Sequence, residues 1–142
     1  MNPQLVAEKV REVMLADDAA TRMLGIRIAE VAPGRAVATM TVRADMLNGF
    51  AICHGGLIAT LADSAFAFAC NGRNALTVAS GFGIDILKPA RLGDDLAATA
   101  EETSLAGRTG LYDVTVKNQQ GELIAVFRGR SHRLGERKVF EA

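Results

Sequence analysis

The sequence has no tryptophan, few other aromatic residues, two cysteines and three prolines, and its positive and negative charges cancel. A net charge of zero without a dense basic face argues against nucleic acid as a partner. The two cysteines form no Cys-x-x-Cys pair and no signal peptide is recognisable, so we expect a reducing, cytoplasmic location. With 49% apolar residues, the 142-residue chain is expected to form one domain, residues 1–142.

Long hydrophobic runs are also missing. The most apolar stretch, from Leu57 to Cys70, contains Asp63 and ends at Asn71-Gly72-Arg73, so it is too short to cross a membrane, and we expect no membrane partner. As a helix it would be hydrophobic on all sides, which predicts burial in a core. A buried carboxylate is costly unless it is paired or used, so Asp63 is a candidate functional residue. The alternative is an aspartate at a solvated edge.

The residues before this helix, His54-Gly55-Gly56, would present free backbone N–H groups at a helix N-terminus, which favours negative charge. A carboxylate and an oxyanion-stabilising turn are the two parts that acyl transfer needs. The alternative is a Gly-Gly pair present only for its turn.

The remaining elements follow from residue periodicity and turn signals. We predict an amphipathic helix from Pro3 to about Leu15 and, after the loop Ala44–Cys53, the buried helix over about 56–71. The predicted strands are Ile26–Val31, Ala36–Val42, Ala75–Leu87, Asp95–Leu105, Leu111–Lys117 and Glu122–Arg133. Short turns predict antiparallel pairing between consecutive strands of the last four. The economical packing is an α+β fold whose curved antiparallel sheet wraps one central helix.

Two features predict that this unit is incomplete alone. The central helix is too apolar to be covered by one face of a sheet, and Gly81 and Gly83 would allow another backbone to approach their strand. We therefore predict a symmetric homo-oligomer, a dimer at least and preferably a homotetramer.

The motifs of residues 46–132, with His-Gly-Gly at the start of the central helix, resemble those of the hotdog-fold acyl-CoA thioesterases, and most closely the PaaI-type thioesterases of phenylacetic acid degradation. The residues that carry the resemblance are Met46-Leu47-Asn48-Gly49, Cys53-His54-Gly55-Gly56, Leu61-Ala62-Asp63-Ser64-Ala65-Phe66, Val78-Ala79-Ser80, Ile84-Asp85, Lys88-Pro89, Gly93-Asp94 and Phe127-Arg128-Gly129. The resemblance implies a hotdog fold with an N-terminal helix and hydrolysis of acyl-CoA, with aryl-acyl groups such as (hydroxy)phenylacetyl favoured. It implies no cofactor, because coenzyme A is part of the substrate.

The resemblance also implies roles for single residues. Asp63 takes the position of the catalytic carboxylate, and the Gly55 amide polarises the thioester carbonyl. Asn48 and His54 fall where the family places groups that orient substrate, water or the loop. The predicted substrate-binding residues are Gly56, Ser80, which lies near a hydroxyl position of some relatives, and Arg91 and Arg108. The two arginines would hold coenzyme A phosphates, or else are plain solvated charges in turns.

Helix geometry separates the two central groups. Gly55 and Asp63 are eight positions apart, or about 12 Å along one helix, whereas a general base must come within about 3 Å of its proton. We therefore expect one site to combine Gly55 of one chain with Asp63 of another. Asp63 would act either as a general base on water or as a nucleophile.

Other chemistries have weaker support. A hotdog hydratase or dehydratase would use His54 for proton transfer at carbon, and a non-catalytic acyl-CoA-binding protein would bind without turnover. Cys53 beside His54 has the residue types of a nucleophile and base, but adjacent side chains point apart. Gly81-Phe82-Gly83 lacks the third glycine of a dinucleotide site, and His54 and His132 stand without the neighbours that a metal site needs.

Overall fold

In the computed structural model, which describes residues 1–141, six antiparallel strands form one sheet against one long helix. The helices are α1 (Pro3–Ala16), α2 (Ala19–Leu24) and α3 (Gly55–Cys70), with a 3₁₀ turn at Ala44–Met46. The strands are β1 (Arg27–Ala32), β2 (Arg35–Thr41), β3 (Thr77–Ile86), β4 (Asp95–Ala106), β5 (Thr109–Lys117) and β6 (Leu123–Arg133). Their order across the sheet is β1-β2-β4-β5-β6-β3. No helix of residues 1–141 is long and apolar enough to span a membrane.

The predicted packing of sheet around helix is confirmed, because α3 contacts all six strands. Its side chains that face the sheet are fully buried: Ile58, Leu61, Ala62, Ala65, Phe66, Phe68 and Ala69. Asn71 fixes the C-terminal end, since its side chain donates to the Ala67 and Thr77 carbonyls (2.8 and 3.0 Å) and accepts from the Thr77 N–H (2.9 Å). The end of α3 is thereby tied to the start of β3.

In the single chain α3 is not buried on all sides, as expected for a helix that one face of a sheet cannot cover. A strip on its far side is only half-buried: Ala59, Thr60, Asp63, Ser64 and Ala67. The sheet covers one side of the helix, so the remaining strip has no cover from this chain's strands. The carboxylate of Asp63 lies on this strip.

The predicted pairing of β3 with β4 is also wrong. The β4–β5 and β5–β6 hairpins are confirmed, but β3 pairs with β6 and β4 pairs with β2. The connection between β3 and β4 crosses the end of the sheet, where the Leu87 N–H donates to the Ile124 carbonyl and the Gly93 N–H donates to the Val42 carbonyl. This crossover leaves one side of β3 as a free sheet edge.

The helix α2 is absent from the sequence-based prediction. Its capping signals are ordinary ones: the Asp18 side chain accepts from the Thr21 N–H (3.1 Å), and Gly25 ends the helix with a φ of +68°. Six residues give too short an apolar pattern for periodicity to reveal. The other hairpin, between β1 and β2 through Pro33-Gly34, forms as predicted.

The close approach of α3 to β6 depends on Gly129. A Cβ added at Gly129 would lie 2.8 Å from the Phe66 ring, which is itself held between Tyr112 and Phe127 at centroid distances of 5.5 and 5.9 Å. The ring has little room to withdraw, so the helix seats against the sheet only over a glycine.

We predict that Gly129→Ala lowers the free energy of unfolding by about 1–3 kcal/mol through this overpacking. The matched control is Gly49→Ala, because an added Cβ there meets nothing within 4 Å. The control should show no loss of stability. Urea denaturation followed by circular dichroism measures both variants, and equal midpoints for the two would contradict the prediction.

Candidate active site

A short loop positions the start of α3. The Asn48 side-chain oxygen accepts from the Phe50 and Ile52 N–H groups (2.9 and 3.3 Å), which closes the turn before the helix. The Cys53 N–H then donates to the Ala90 carbonyl and the His54 N–H to the Met46 carbonyl, both at 2.8 Å. The helix N-terminus is therefore held between the 3₁₀ turn and the β3–β4 connection.

The first N–H groups of α3 are unused. His54 is the N-cap but makes no side-chain capping bond, and the N–H groups of Gly55 and Gly56 have no acceptor within residues 1–141. A Cβ at Gly55 would lie 2.7 Å from the Ile86 Cδ1, so glycine lets β3 lie close to these donors. Free N–H groups and the helix dipole together suit a developing oxyanion.

Asp63 is half-buried two turns further along the helix. Burial raises the pKa of its carboxyl above the ordinary value, and the negative charge of Asp18 raises it further. Within residues 1–141, no hydrogen-bond donor and no positive charge lowers this pKa again. A carboxylate that has no hydrogen-bond donor or positive charge beside it is more basic than usual. It is suited to take a proton or to attack a carbonyl carbon.

Asp63 lines a cavity of about 290 Å³ between α3 and the start of β3. It is the only charged side chain among the described residues of the lining, which is otherwise mainly apolar. Phe66, Ala67 and Cys70 come from the same helix, and Thr77, Val78 and Ala79 come from β3. The geometry places one carboxylate against a space suited to an apolar group.

The single chain does not bring all the candidate residues together. Asn48, His54, Gly55 and Gly56 lie around the helix N-terminus, outside the cavity that Asp63 lines. The eight-residue separation along α3 keeps the free amides about 12 Å from the carboxylate.

The three other candidates lie elsewhere, and their roles stay predictions. The Ser80 hydroxyl bonds Arg130 of β6, donating to its carbonyl (3.1 Å) and accepting from its Nε (3.2 Å), while the neighbour Ala79 lines the Asp63 cavity. Arg91 is exposed in the β3–β4 connection, and its backbone N–H donates to Asp94 (2.8 Å).

Arg108 lies in the β4–β5 turn and lines a second cavity, of about 260 Å³. Arg73 and Arg133 line the same cavity, and the Arg133 Nε is buried without a hydrogen-bond partner in residues 1–141. Cys70 and Thr77 line both cavities, so the two adjoin.

A cysteine nucleophile has no support from the structure. Cys53 is buried, and burial raises the pKa of its thiol, which keeps it protonated and unreactive. His54 is exposed, and its ring has no hydrogen-bond partner within the described chain. Residues 1–141 hold no cluster of three or more side chains suited to a metal ion.

Three residues of the site have no signal in the sequence. Met14 and Val139 line the Asp63 cavity although they come from opposite ends of the chain, and Asp18 affects the pKa of Asp63. The sequence shows Met14 only as an apolar position of the predicted first helix, and Val139 lies beyond the last predicted strand. Such long-range contacts leave no local pattern.

Comparison with known proteins identifies the architecture. Residues 50–125 match the family model of the Thioesterase superfamily. Acyl-coenzyme A thioesterase PaaI of Escherichia coli is 49% identical over 122 residues, which cover 86% of this chain and 87% of that protein. The solved structure of the E. coli PaaI protein has a TM-score of 0.93 and 45% identity, and the match covers 96% of this chain and 99% of that one.

A Streptococcus mutans protein solved with acetyl-CoA bound has a TM-score of 0.76 and 27% identity, with 80% of this chain and 91% of that chain covered. The family match spans more than half of the chain, and the E. coli relative covers most of it. The chain therefore belongs to the thioesterase superfamily and is a hotdog-fold thioesterase of the PaaI type.

Proposed function

We propose that the chain hydrolyses acyl-CoA thioesters at Asp63, with aryl-acyl groups such as phenylacetyl or hydroxyphenylacetyl as the preferred class. The observation that carries the proposal is the single charged side chain, Asp63, in an otherwise uncharged cavity. The E. coli relative is named an acyl-coenzyme A thioesterase, and its structure is described as coming from the phenylacetic acid degradation operon. The S. mutans protein supports coenzyme A as the carrier.

The size of the cavity supports an aryl-acyl group. An apolar cavity of about 150 Å³ in another protein holds a benzene molecule. The Asp63 cavity of the single chain, at about 290 Å³ and open on the side where the partner subunit is proposed to lie, has room for one aromatic ring and a short linker.

We propose that each site is shared between two subunits of a homodimer, and that two dimers form a homotetramer. The free edge strand β3 supports this assembly, because three of its apolar side chains are exposed: Val78 (44%), Phe82 (52%) and Ile86 (44%). Exposed apolar edges are templates for pairing with another chain. Two antiparallel α3 helices would bring the Gly55 amide of one chain to Asp63 of the other, and would cover the half-buried strip of each.

The proposed reaction uses these two groups. The Gly55 N–H donates to the thioester carbonyl oxygen and stabilises the oxyanion, a contribution of roughly 3–4 kcal/mol for donors of this kind. As a general base, Asp63 takes a proton from water while the water oxygen bonds the carbonyl carbon. The C–S bond then breaks, and the proton goes to the leaving thiolate. As a nucleophile, Asp63 would form a mixed anhydride with release of the thiolate, and water would then cleave the anhydride.

The other candidates have supporting roles in this proposal. Asn48 and His54 orient the loop and the substrate, and Gly56 adds a second free amide. Arg108 binds a coenzyme A phosphate, which the neighbouring arginines of its cavity favour, and Arg91 and Ser80 contact the substrate from the neighbouring surface.

The reaction needs no metal and no added cofactor. Two buried cysteines, both free, support a reducing, cytoplasmic location.

No observation favours a hydratase or dehydratase. Those enzymes need a histidine paired with a carboxylate for proton transfer at carbon, and within residues 1–141 of one chain the exposed His54 ring has no such partner. Release of free thiol, measured with a colour reagent on a panel of acyl-CoA substrates, separates hydrolysis from hydration of an enoyl thioester and from binding without turnover.

Asp63→Asn should lower kcat on phenylacetyl-CoA by at least about a hundredfold, because the base or nucleophile is lost. The variant should not unfold at a lower urea concentration. The folded pKa of Asp63 is raised above its ordinary value, so ionisation lowers stability fully above the folded pKa, and this penalty is lost as pH falls through the folded pKa to the ordinary value. The matched control is Asp45→Asn, in an exposed pair with Arg43, which should keep full activity. Near-normal turnover by folded Asp63→Asn would remove Asp63 from the mechanism.

Asp18→Asn should move the acid limb of the kcat/KM profile to lower pH. Only ionised Asp63 is active, so activity falls as pH drops through its raised pKa, and removing the charge of Asp18 lowers that pKa. Asparagine keeps the N-cap of α2, so the fold is retained. Asp45→Asn again serves as the control, with no shift expected. An unchanged acid limb in Asp18→Asn would show that the pKa of Asp63 does not govern the profile.

A mixed dimer tests the shared site. Pairing an Asp63→Asn chain with a Gly55→Pro chain gives one intact site and one that carries both lesions. Each variant homodimer should be nearly inactive, and random re-association of equal amounts should recover about a quarter of wild-type activity.

Gly55→Ala is the matched control for this experiment, since it adds the same Cβ against Ile86 but keeps the N–H donor. Its folding and activity separate the steric effect from loss of the donor. Demonstrated heterodimers that recover no activity would contradict a site shared between subunits.

A further inference from the structure

Two side chains of the Asp63 cavity lie outside the region that the thioesterase family model matches. That region is 50–125, and it contains Asp63 and every lining residue contributed by α3 and β3. Met14, on α1, and Val139, near the C-terminus, complete the lining. The two ends of the chain therefore supply part of the wall of a cavity whose one carboxylate, Asp63, comes from the middle of the chain.

The C-terminal segment is fixed by hydrogen bonds to Asn74. The Asn74 side-chain oxygen accepts from the Val139 and Phe140 N–H groups, and its Nδ2 donates to the Phe140 carbonyl, all at 2.9 Å. Asn74 itself has a φ of +64°, a conformation that asparagine adopts more readily than most residues. The backbone of Val139 is thus held in place, and its side chain forms a wall at a defined position.

Helix α1 fixes Met14 in a comparable way. The Gln4 side chain donates to the Val31 carbonyl (2.7 Å) and the Arg11 guanidinium to the Ile28 carbonyl (3.3 Å), which fastens α1 along β1. Val10 is buried one turn before Met14, and Met14 packs against the core while remaining part of the cavity lining.

From these contacts we infer that Met14 and Val139 set the size of the acyl group that the enzyme accepts. The inference rests on the proposed function, because it assigns the acyl group to the Asp63 cavity. Both side chains are apolar and neither has a group that takes part in proton transfer. Changing their volume alters the space beside Asp63 and leaves the carboxylate and the helix amides in place. A difference of one methylene in a hydrophobic pocket changes selectivity by about 10–200-fold.

The test measures kcat/KM by thiol release with acetyl-, phenylacetyl- and 4-phenylbutyryl-CoA. Val139→Phe should lower the ratio of phenylacetyl- to acetyl-CoA activity by at least about tenfold, because the larger side chain fills the cavity. Val139→Ala and Met14→Ala should each raise the ratio of 4-phenylbutyryl- to phenylacetyl-CoA activity by about tenfold. The matched control is Lys138→Phe, which adds the same ring at the adjacent exposed position and should leave all ratios within twofold.

The outcomes separate this inference from the proposed function. A wild-type enzyme that releases no thiol from any acyl-CoA contradicts the proposed function. An active wild type whose ratios do not change in the folded Val139→Ala and Met14→Ala variants overturns the inference alone. These two variants only remove atoms from a cavity wall, so urea denaturation should show them folded even where Val139→Phe is not.

Discussion

The structure depends on the burial of one face of α3 against the sheet. Each large apolar side chain that this face removes from water contributes about 1.5–3 kcal/mol, and the face includes Ile58, Leu61, Phe66 and Phe68. Gly129 lets the Phe66 ring lie directly on β6, and Asn71 ties the helix end to β3. A sheet that meets the helix from one side leaves the opposite strip partly open. The core that holds the helix therefore also determines which of its residues stay accessible to a ligand.

Asp63 lies on that open strip, and its environment is unfavourable for a charge. Burial and the nearby charge of Asp18 both raise the pKa of its carboxyl, and no hydrogen-bond donor within residues 1–141 lowers it. A protein selected for stability alone would place an apolar or neutral residue there, since an uncompensated half-buried carboxylate works against folding. The burial energy of the opposite face outweighs this penalty. The proposed role of Asp63 in hydrolysis would account for a charge that works against the stability of the fold.

The sequence predicts the parts of this structure that depend on local pattern. The largely apolar stretch from Leu57 to Cys70 predicts α3 to within a residue, and residue periodicity with turn signals predicts every strand. It does not predict the pairing of β3 with β6, because strand order depends on a crossover whose contacts join residues far apart in the chain. Of the candidate site, Asp63 and the free amides follow from residue types on one helix. The contribution of Val139 does not, since it depends on hydrogen bonds to Asn74, 65 positions earlier.

The Asp63 cavity is lined partly by residues from the middle of the chain and partly by residues from its two ends. This bears on how the proposed selectivity for acyl groups could change. Phe66 lines the cavity but also belongs to the aromatic cluster with Tyr112 and Phe127, so a change in its volume would disturb the core. Val139 is only half-buried and is held through its backbone, so its side chain can change volume while the bonds to Asn74 remain. If this cavity holds the acyl group as proposed, substitutions that alter its volume should be tolerated better at the ends of the chain than in α3. A substitution at Val139 would change the cavity wall and leave α3, which carries Asp63, unchanged.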